Sequence, residues 1–274
     1  MTQQSPLLRF FENFVRSNLY LFIFFRYLTN SFFTKFIYES DFKILKVLEK
    51  LNLFKNRSDI IVDIGANDGI SYKSIRNFIT KTRIHSFEPN KENFIKLEKL
   101  KKNDKNFYIH NVGLSRKKKK TQLLYQPYFK SYPLSPFASL SKTDVNKRLR
   151  SSLFIKNLRK KIKIKTSMVY IRRLDDFNLN AKFIKIDVEG HEYECILGSL
   201  KTIKKKFPII MLEYDKENCL KIYKILKKMK YKKFLYDSNK NILKEHKNQN
   251  TFNIFFIYYK YLNVLKQKIK IEYI

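Results

Sequence analysis

Between residues 59 and 259, short apolar runs alternate with amphipathic stretches, and no other feature of the chain restricts its fold as strongly. The runs "DIIVDIG" (59–65), "RIHSFEP" (83–89), "NFYIHNVGL" (106–114), "KFIKIDV" (182–188) and "FPIIMLEY" (207–214) read as strands. Helical patterns intervene. "SYKSIRNFI" (71–79) is helix-like, Phe94, Leu97 and Leu100 share one face behind the N-cap residue Asn90, and Cys219, Ile222, Tyr223 and Leu226 form an inward stripe. Strands that alternate with helices predict an α/β fold, with a mostly parallel sheet covered by helices on both faces. "KKFLYD" (232–237) and "NIFFIYY" (253–259) can add an antiparallel pair at the sheet edge.

The main domain is therefore placed at residues 55–260, after an aromatic, basic and helical segment at 1–54 and before a basic tail at 261–274. Residues 115–175 interrupt the alternation with Pro127, Pro133, Pro136 and a basic stretch. They read as an insertion over the carboxyl edge of the sheet, on the acceptor side, where open α/β folds bind ligands. At the N-terminus, Arg9 and Arg16 interrupt the apolar residues and no small-residue cleavage site follows, so no secretory signal is expected. The longest uncharged piece there, 17–25, is far below the ~20 residues that span a bilayer. An aromatic helix carrying Arg9, Arg16 and Arg26 can instead lie among anionic headgroups, or pack on the core or a second subunit. Packing is the expected outcome, because so aromatic a surface left bare would aggregate. The expected location is cytoplasmic, with peripheral contact at the inner face of the membrane as the alternative.

Charge enters here, because 58 basic against 24 acidic residues, a formal +34, would attract any polyanion. Lysine is spread along the chain beside heavy use of Ile, Asn, Phe and Tyr with no Trp. All of those favoured residues have AT-rich codons, so the excess reads as genomic composition. The run "RKKKK" (116–120) reads as a solvated turn between strands. Two cysteines, Cys195 and Cys219, make neither a disulfide scaffold nor a metal motif, and fit a reducing compartment.

Only five glycines occur, and Gly65, Gly69, Gly113 and Gly190 fall at or just after strand ends. Glycine is retained where φ is positive or where a ligand approaches the backbone, so these four are expected to line one crevice. "DIGANDG" is Gly-x-x-x-Gly; the tight turn that a dinucleotide pyrophosphate requires is missing. Glu88 lies 23 positions beyond Gly65, a spacing that suits a carboxylate accepting from both hydroxyls of a ribose. The alternative for Glu88 is a helix-entry carboxylate. Ribose recognition without a pyrophosphate site points to S-adenosylmethionine.

The blocks "IIVDIGANDGISYKS", "IHSFEPNKENFIKLEKL", "NVGLS", "RRLDDF", "FIKIDVEGHEYECILGSL" and "PIIMLEY" follow one another from 59 to about 215. In that order they resemble the FkbM family of class I methyltransferases, and "IKIDVEGHE" is quite specific. The resemblance implies a Rossmann-like, mostly parallel seven-stranded sheet with an antiparallel edge strand. It also implies S-adenosylmethionine-dependent O-methylation of a saccharide or related natural product, in surface glycan synthesis. Carried over, Asp63, Gly65, Asn67 and Gly69 would surround the methionine end of the cofactor, Glu88 would hold the ribose, and Asn111 and Val112 would meet the adenine edge. Arg173, where Thr is common, and Asp68, where an apolar residue is common, depart from the family pattern.

In this fold the strand ending in "IDVEGHE" borders the reaction centre, which places Asp187, Glu189 and His191 there. Methylating a hydroxyl needs a base for its proton, and His191 has a suitable unperturbed pKa. Asp187 or Glu189 could orient the ring, bind acceptor hydroxyls or hold the cofactor's ammonium. A divalent cation held by Asp187 with Glu213 or Asp215 could acidify the hydroxyl instead. Structurally, these carboxylates could simply cap amides and Glu192 favour a helix N-terminus. His85 and His110 fall within strands and read as structural. His246 reads as a loop residue, and Asp175 and Asp176 as turn residues that could reach the acceptor. An RNA methyltransferase and a non-catalytic binding protein are the competing functions. Against RNA, no Asn- or Asp-Pro-Pro-aromatic or Pro-Cys motif occurs, and the "DVEGHE" carboxylates would repel phosphates.

Overall fold

In the computed structural model, residues 39–129, 132–151, 162–247, 249 and 251–273 are described. They divide into two units. The larger unit, residues 38–123 and 168–274, carries a nine-stranded sheet. Its strands are β1 (Ile60–Ile64), β2 (Arg83–Phe87), β3 (Phe107–His110), β8 (Ala181–Ile186), β9 (Ile209–Glu213), β10 (Tyr231–Asp237), β11 (Ile242–Glu245), β12 (Asn253–Tyr258) and β13 (Lys270–Glu272). They lie in the order β13-β11-β10-β12-β9-β8-β1-β2-β3.

Period-two side-chain alternation sorts each strand between two cores. Ile61, Ile84, Phe107, Phe183, Met211 and Phe255 face one layer, which contains α1 (Glu39–Lys50), α2 (Ile70–Arg76), α3 (Lys91–Lys101) and α8 (Tyr259–Leu265). Val62, Ile64, Ile184, Ile186, Ile210 and Phe256 face the other, with α5 (Glu192–Leu197), α6 (Leu200–Lys206) and α7 (Lys216–Lys228). The expected α/β architecture with helices on both faces is therefore present. Asn90 caps α3 by accepting from the Glu92 amide at 2.9 Å.

Seven strands become nine because the polypeptide after β10 keeps pairing. β12 does insert antiparallel between β9 and β10, but β11 and β13 extend the sheet beyond β10, so the expected edge pair is internal. Residues 261–273, expected as a basic tail, carry the end of α8 and the strand β13. Leu262, Leu265 and Ile269 recur at helical spacing and are buried, and β13 joins β11 in parallel. Likewise α1, placed by sequence in the N-terminal segment, buries Phe42, Ile44, Leu45 and Leu48 against the sheet. Full burial of such side chains contributes roughly 1.5–3 kcal/mol each, enough to fasten a helix of three turns. The headgroup reading of residues 1–38 lies outside the described residues. Among those described, no helix is long and apolar enough to cross a membrane.

The expected third strand is two: β3, then β4 (Gly113–Leu114), which leaves the sheet to pair with the end of β7 (Ile162–Arg172). The described part of the smaller unit, within 124–167, holds most of β5 (Lys119–Phe129), β6 (Tyr132–Pro133) and α4 (Lys142–Ser151). "RKKKK" passes through a bend into β5, as a solvated turn should.

Candidate active site

The loop after β1 turns because Gly65 has φ +79, which an L side chain rarely adopts. A Cβ there would lie 1.8 Å from the Asp187 carbonyl oxygen. The loops following β1 and β8 therefore touch, backbone to backbone, at Gly65. Amides of Gly65 and Ala66 donate to Phe87 O at 3.0 and 3.2 Å, drawing in the end of β2. Gly69 also has positive φ, +90, but a Cβ there would meet Leu100 at 2.4 Å, so it serves helix packing. Gly198, which carried no signal in the sequence, lies against Ser115, where a Cβ would be 2.2 Å from the carbonyl oxygen.

Glu88 is buried at the end of β2, and its two oxygens accept from the amides of Asn67 and Asn90, each at 2.8 Å. The carboxylate therefore ties the helix entry at Asn90 to the loop after β1 at Asn67. Burial pushes Glu88 up to about 7, against the amides and Lys185. Asn111 donates to the carbonyls of Glu88 and Pro89 at 2.9 and 3.1 Å. Beside it, Ile109, His110, Asn111, Val112, Arg172, Asp176 and Phe177 line a cavity of about 470 Å³. The last three come from the "RRLDDF" block, more than 60 positions from Asn111 in sequence.

Asp63 is fully buried within β1, and its contacts are internal. It accepts from Ser71 and Ser86 hydroxyls at 2.6 and 3.1 Å and pairs with Lys185 at 3.2 Å. Sequence alone places Lys185 only within a strand. Burial works against its ammonium, but Asp63 and Asp187 outweigh that and raise its pKa.

Asp187, Glu189 and Glu213 bring ligand oxygens within 4.8 Å of one another. Asp215 is not among them: it caps α7 by accepting from the Asn218 amide at 2.8 Å. Glu189 holds this position with φ +57, an unusual state for a residue with a side chain. Glu192 winds the loop by accepting from the amides of Val188 and Gly190 at 3.3 and 2.9 Å, and Asn218 donates to it at 2.9 Å. His191 lies at the start of α5, its Nε2 3.1 Å from Ser115 Oγ.

Other candidates have structural partners. Asp175 accepts from Thr202 N and Oγ1 at 2.8 and 2.9 Å and so fastens α6. Arg173 pairs with Asp176 at 2.6 Å. Both cysteines are free and buried, and Cys195 donates to Leu114 O. His246 is buried, not a loop ornament, with Nε2 2.8 Å from Gln249 O.

His85 and His110 stand on adjacent strands with ring nitrogens 3.1 Å apart, between Tyr108 and Phe87. Burial, then His110 and Arg83, lowers His85 to about 4; burial, then Lys101, lowers His110 to about 4. An unfolded imidazole titrates near 6.5, so between those values the unfolded chain binds more protons. The stability these rings contribute is full above about 6.5 and is lost as pH falls toward 4. Glu88, raised from 4.5 to about 7, acts oppositely: its contribution is lost as pH rises through that window. Urea unfolding at pH 7 and 4.5 separates the two. Relative to wild type, His110→Gln should lose roughly 1–2 kcal/mol less on acidification, after allowance for solvent at this half-open edge. An equal loss in both proteins would refute the pair's role.

A family model described as a methyltransferase FkbM domain matches residues 63–233, more than half of the chain. No curated protein matches. Among solved structures, methyltransferase FkbM from Methylobacillus flagellatus KT is 15% identical with a TM-score of 0.47, over 73% of this chain and 44% of that one. The chain thus spans less than half the length of that protein. Precorrin-6y C5,15-methyltransferase from Geobacter metallireducens GS-15 is 12% identical with a TM-score of 0.35, over 76% and 83%. Fibrillarin from Methanococcus jannaschii is 11% identical with a TM-score of 0.34, over 73% and 66%.

Proposed function

Since the chain belongs to the FkbM methyltransferase family, we propose that it methylates a hydroxyl of a saccharide or related natural product, with S-adenosylmethionine as donor. The observation that carries this reading is the meeting of the Gly65 loop with the Asp187 backbone, beside a cluster of three carboxylates.

The residues present fit that cofactor. When ionised, Glu88 only accepts, and beside the two amides its oxygens can each take one of two vicinal hydroxyls. The cavity beside Asn111 and Val112 offers Phe177 and polar groups to a base. When bound, the cofactor would supply an electrophilic methyl on a sulfonium: the hydroxyl oxygen would bond to that carbon as the carbon–sulfur bond breaks, the neutral thioether leaving and the hydroxyl proton passing to a base. The chain's part is to hold the acceptor and remove its proton. Asp187, Glu189 and His191 supply acceptors for sugar hydroxyls and a base for the one that reacts. Their negative field disfavours a nucleic-acid backbone.

Calorimetry tests the cofactor reading. S-adenosylmethionine or its demethylated product should bind, and Glu88→Ala should weaken binding by roughly 1–3 kcal/mol, with a melting curve as control because Glu88 also ties two amides. A wild-type protein that shows no binding at millimolar cofactor would sink the assignment. A second reading rests on the convergence of Asp187, Glu189 and Glu213. These could hold a divalent cation that acidifies the hydroxyl, and turnover would then disappear with chelator and return with magnesium or manganese.

A further inference from the structure

Lys185 lies opposite Asp63 in the parallel pairing of β1 and β8, and both side chains are buried. Its ammonium reaches Gly65 O at 2.9 Å, Asp63 at 3.2 Å and Asp187 at 3.4 Å. An ammonium has three donors, and here it meets three different residues, hydrogen-bonding the Gly65 carbonyl and pairing as an ion with the two carboxylates. One is on the strand, one on the loop after β1, and one on the loop after β8. The third partner, Asp187, is 34% exposed. A lysine inside a strand is costly to desolvate unless it is paired, and neutralising Asp63 alone would use only one of its three donors.

We propose that Lys185 is a positioning residue that joins the two loops of the site, fixing the Gly65 carbonyl and the Asp187 carboxylate relative to each other. The proposal rests on the cofactor reading only for its binding consequence. By holding the Gly65 peptide, Lys185 sets where the loop amides meet the cofactor. By holding Asp187, it sets where that carboxylate meets the acceptor or the cofactor's ammonium. It touches no reacting atom itself.

Lys185→Met alone would leave Asp63 buried without its cation, so loss of fold would be uninformative. The double variant Asp63→Asn with Lys185→Met removes both charges. Ser71 and Ser86 both donate to Asp63 Oδ2, and the amide oxygen introduced by Asp63→Asn can accept from both. This protein should fold with a melting temperature close to wild type. Without ligand, amides of residues 65–69 and 187–191 should exchange at least about tenfold faster, while those within β1, β2 and β9 keep their rates. S-adenosylhomocysteine should bind at least about tenfold more weakly. Wild-type exchange in both loops, or wild-type affinity, would show that Lys185 merely neutralises Asp63. A double variant that fails to fold would also overturn the proposal, because the ammonium would then be a requirement of the whole fold. If the wild type itself does not bind the probe, the cofactor reading falls and the exchange comparison still decides the role of Lys185.

Discussion

Gly65→Ala is expected to abolish cofactor binding and to destabilise the fold by about 4 kcal/mol or more. Two costs combine. The residue sits at φ +79, where a side chain is disfavoured by roughly 1–3 kcal/mol. Its new Cβ would also stand 1.8 Å from Asp187 O and 2.8 Å from the adjoining carbonyl carbon, both backbone atoms that no rotamer change can move. Relief requires the ends of β1 and β8 to part, although Asp187 N donates to Ile64 O at 3.0 Å and holds them together. For a chain of this size a loss of 4 kcal/mol lowers Tm by about 10 °C. Gly113→Ala is the control, since its Cβ meets the mobile Cδ1 of Ile171 at 2.8 Å; it should cost no more than about 1–2 kcal/mol. Thermal and urea unfolding with calorimetry measure both. A Gly65→Ala protein within 1 kcal/mol of wild type that still binds cofactor would contradict the contact between the two loops.

Turnover is expected to fall by about 10²–10⁴ in Asp187→Asn and His191→Ala while both proteins remain folded, because a general base supplies that range. Asp187 is partly exposed, so the amide replaces it without leaving a buried charge unpaired, although its pairing with Lys185 weakens. His191 lies at the head of α5 with its Nε2 3.1 Å from Ser115 Oγ, half-buried and outside both hydrophobic cores, so alanine leaves the core packing intact. The acceptor for this assay can be found by mass spectrometry of surface glycans from a deletion strain, as a single missing methyl. Full activity in both variants would remove the cluster from the mechanism. Activity that survives His191→Ala and disappears with chelator would assign the deprotonation to the carboxylates with a cation.

The parts legible in the sequence were those with a local cause. Strand and helix follow from side-chain period, which any ten-residue window contains. Asn90 as a cap follows from its own side chain, and the "KIDVEGHE" block carries its meaning within eight positions. The parallel order of β1, β2, β3, β8 and β9 follows from the helices between them. What the tertiary structure decided concerns residues far apart in the chain, whose meeting depends on sheet register. No periodicity in "FIKIDV" says that Lys185 will lie opposite Asp63 and reach Gly65, 120 positions earlier. None separates Glu213, which turns toward Asp187, from Asp215, which turns back to cap a helix. Gly69 looks like its crevice-lining counterparts until Leu100 is seen against it, and nothing near Gly198 in sequence announces Ser115. A side chain's identity sets what it can bind, but only the packed strands determine what lies within 3 Å of it.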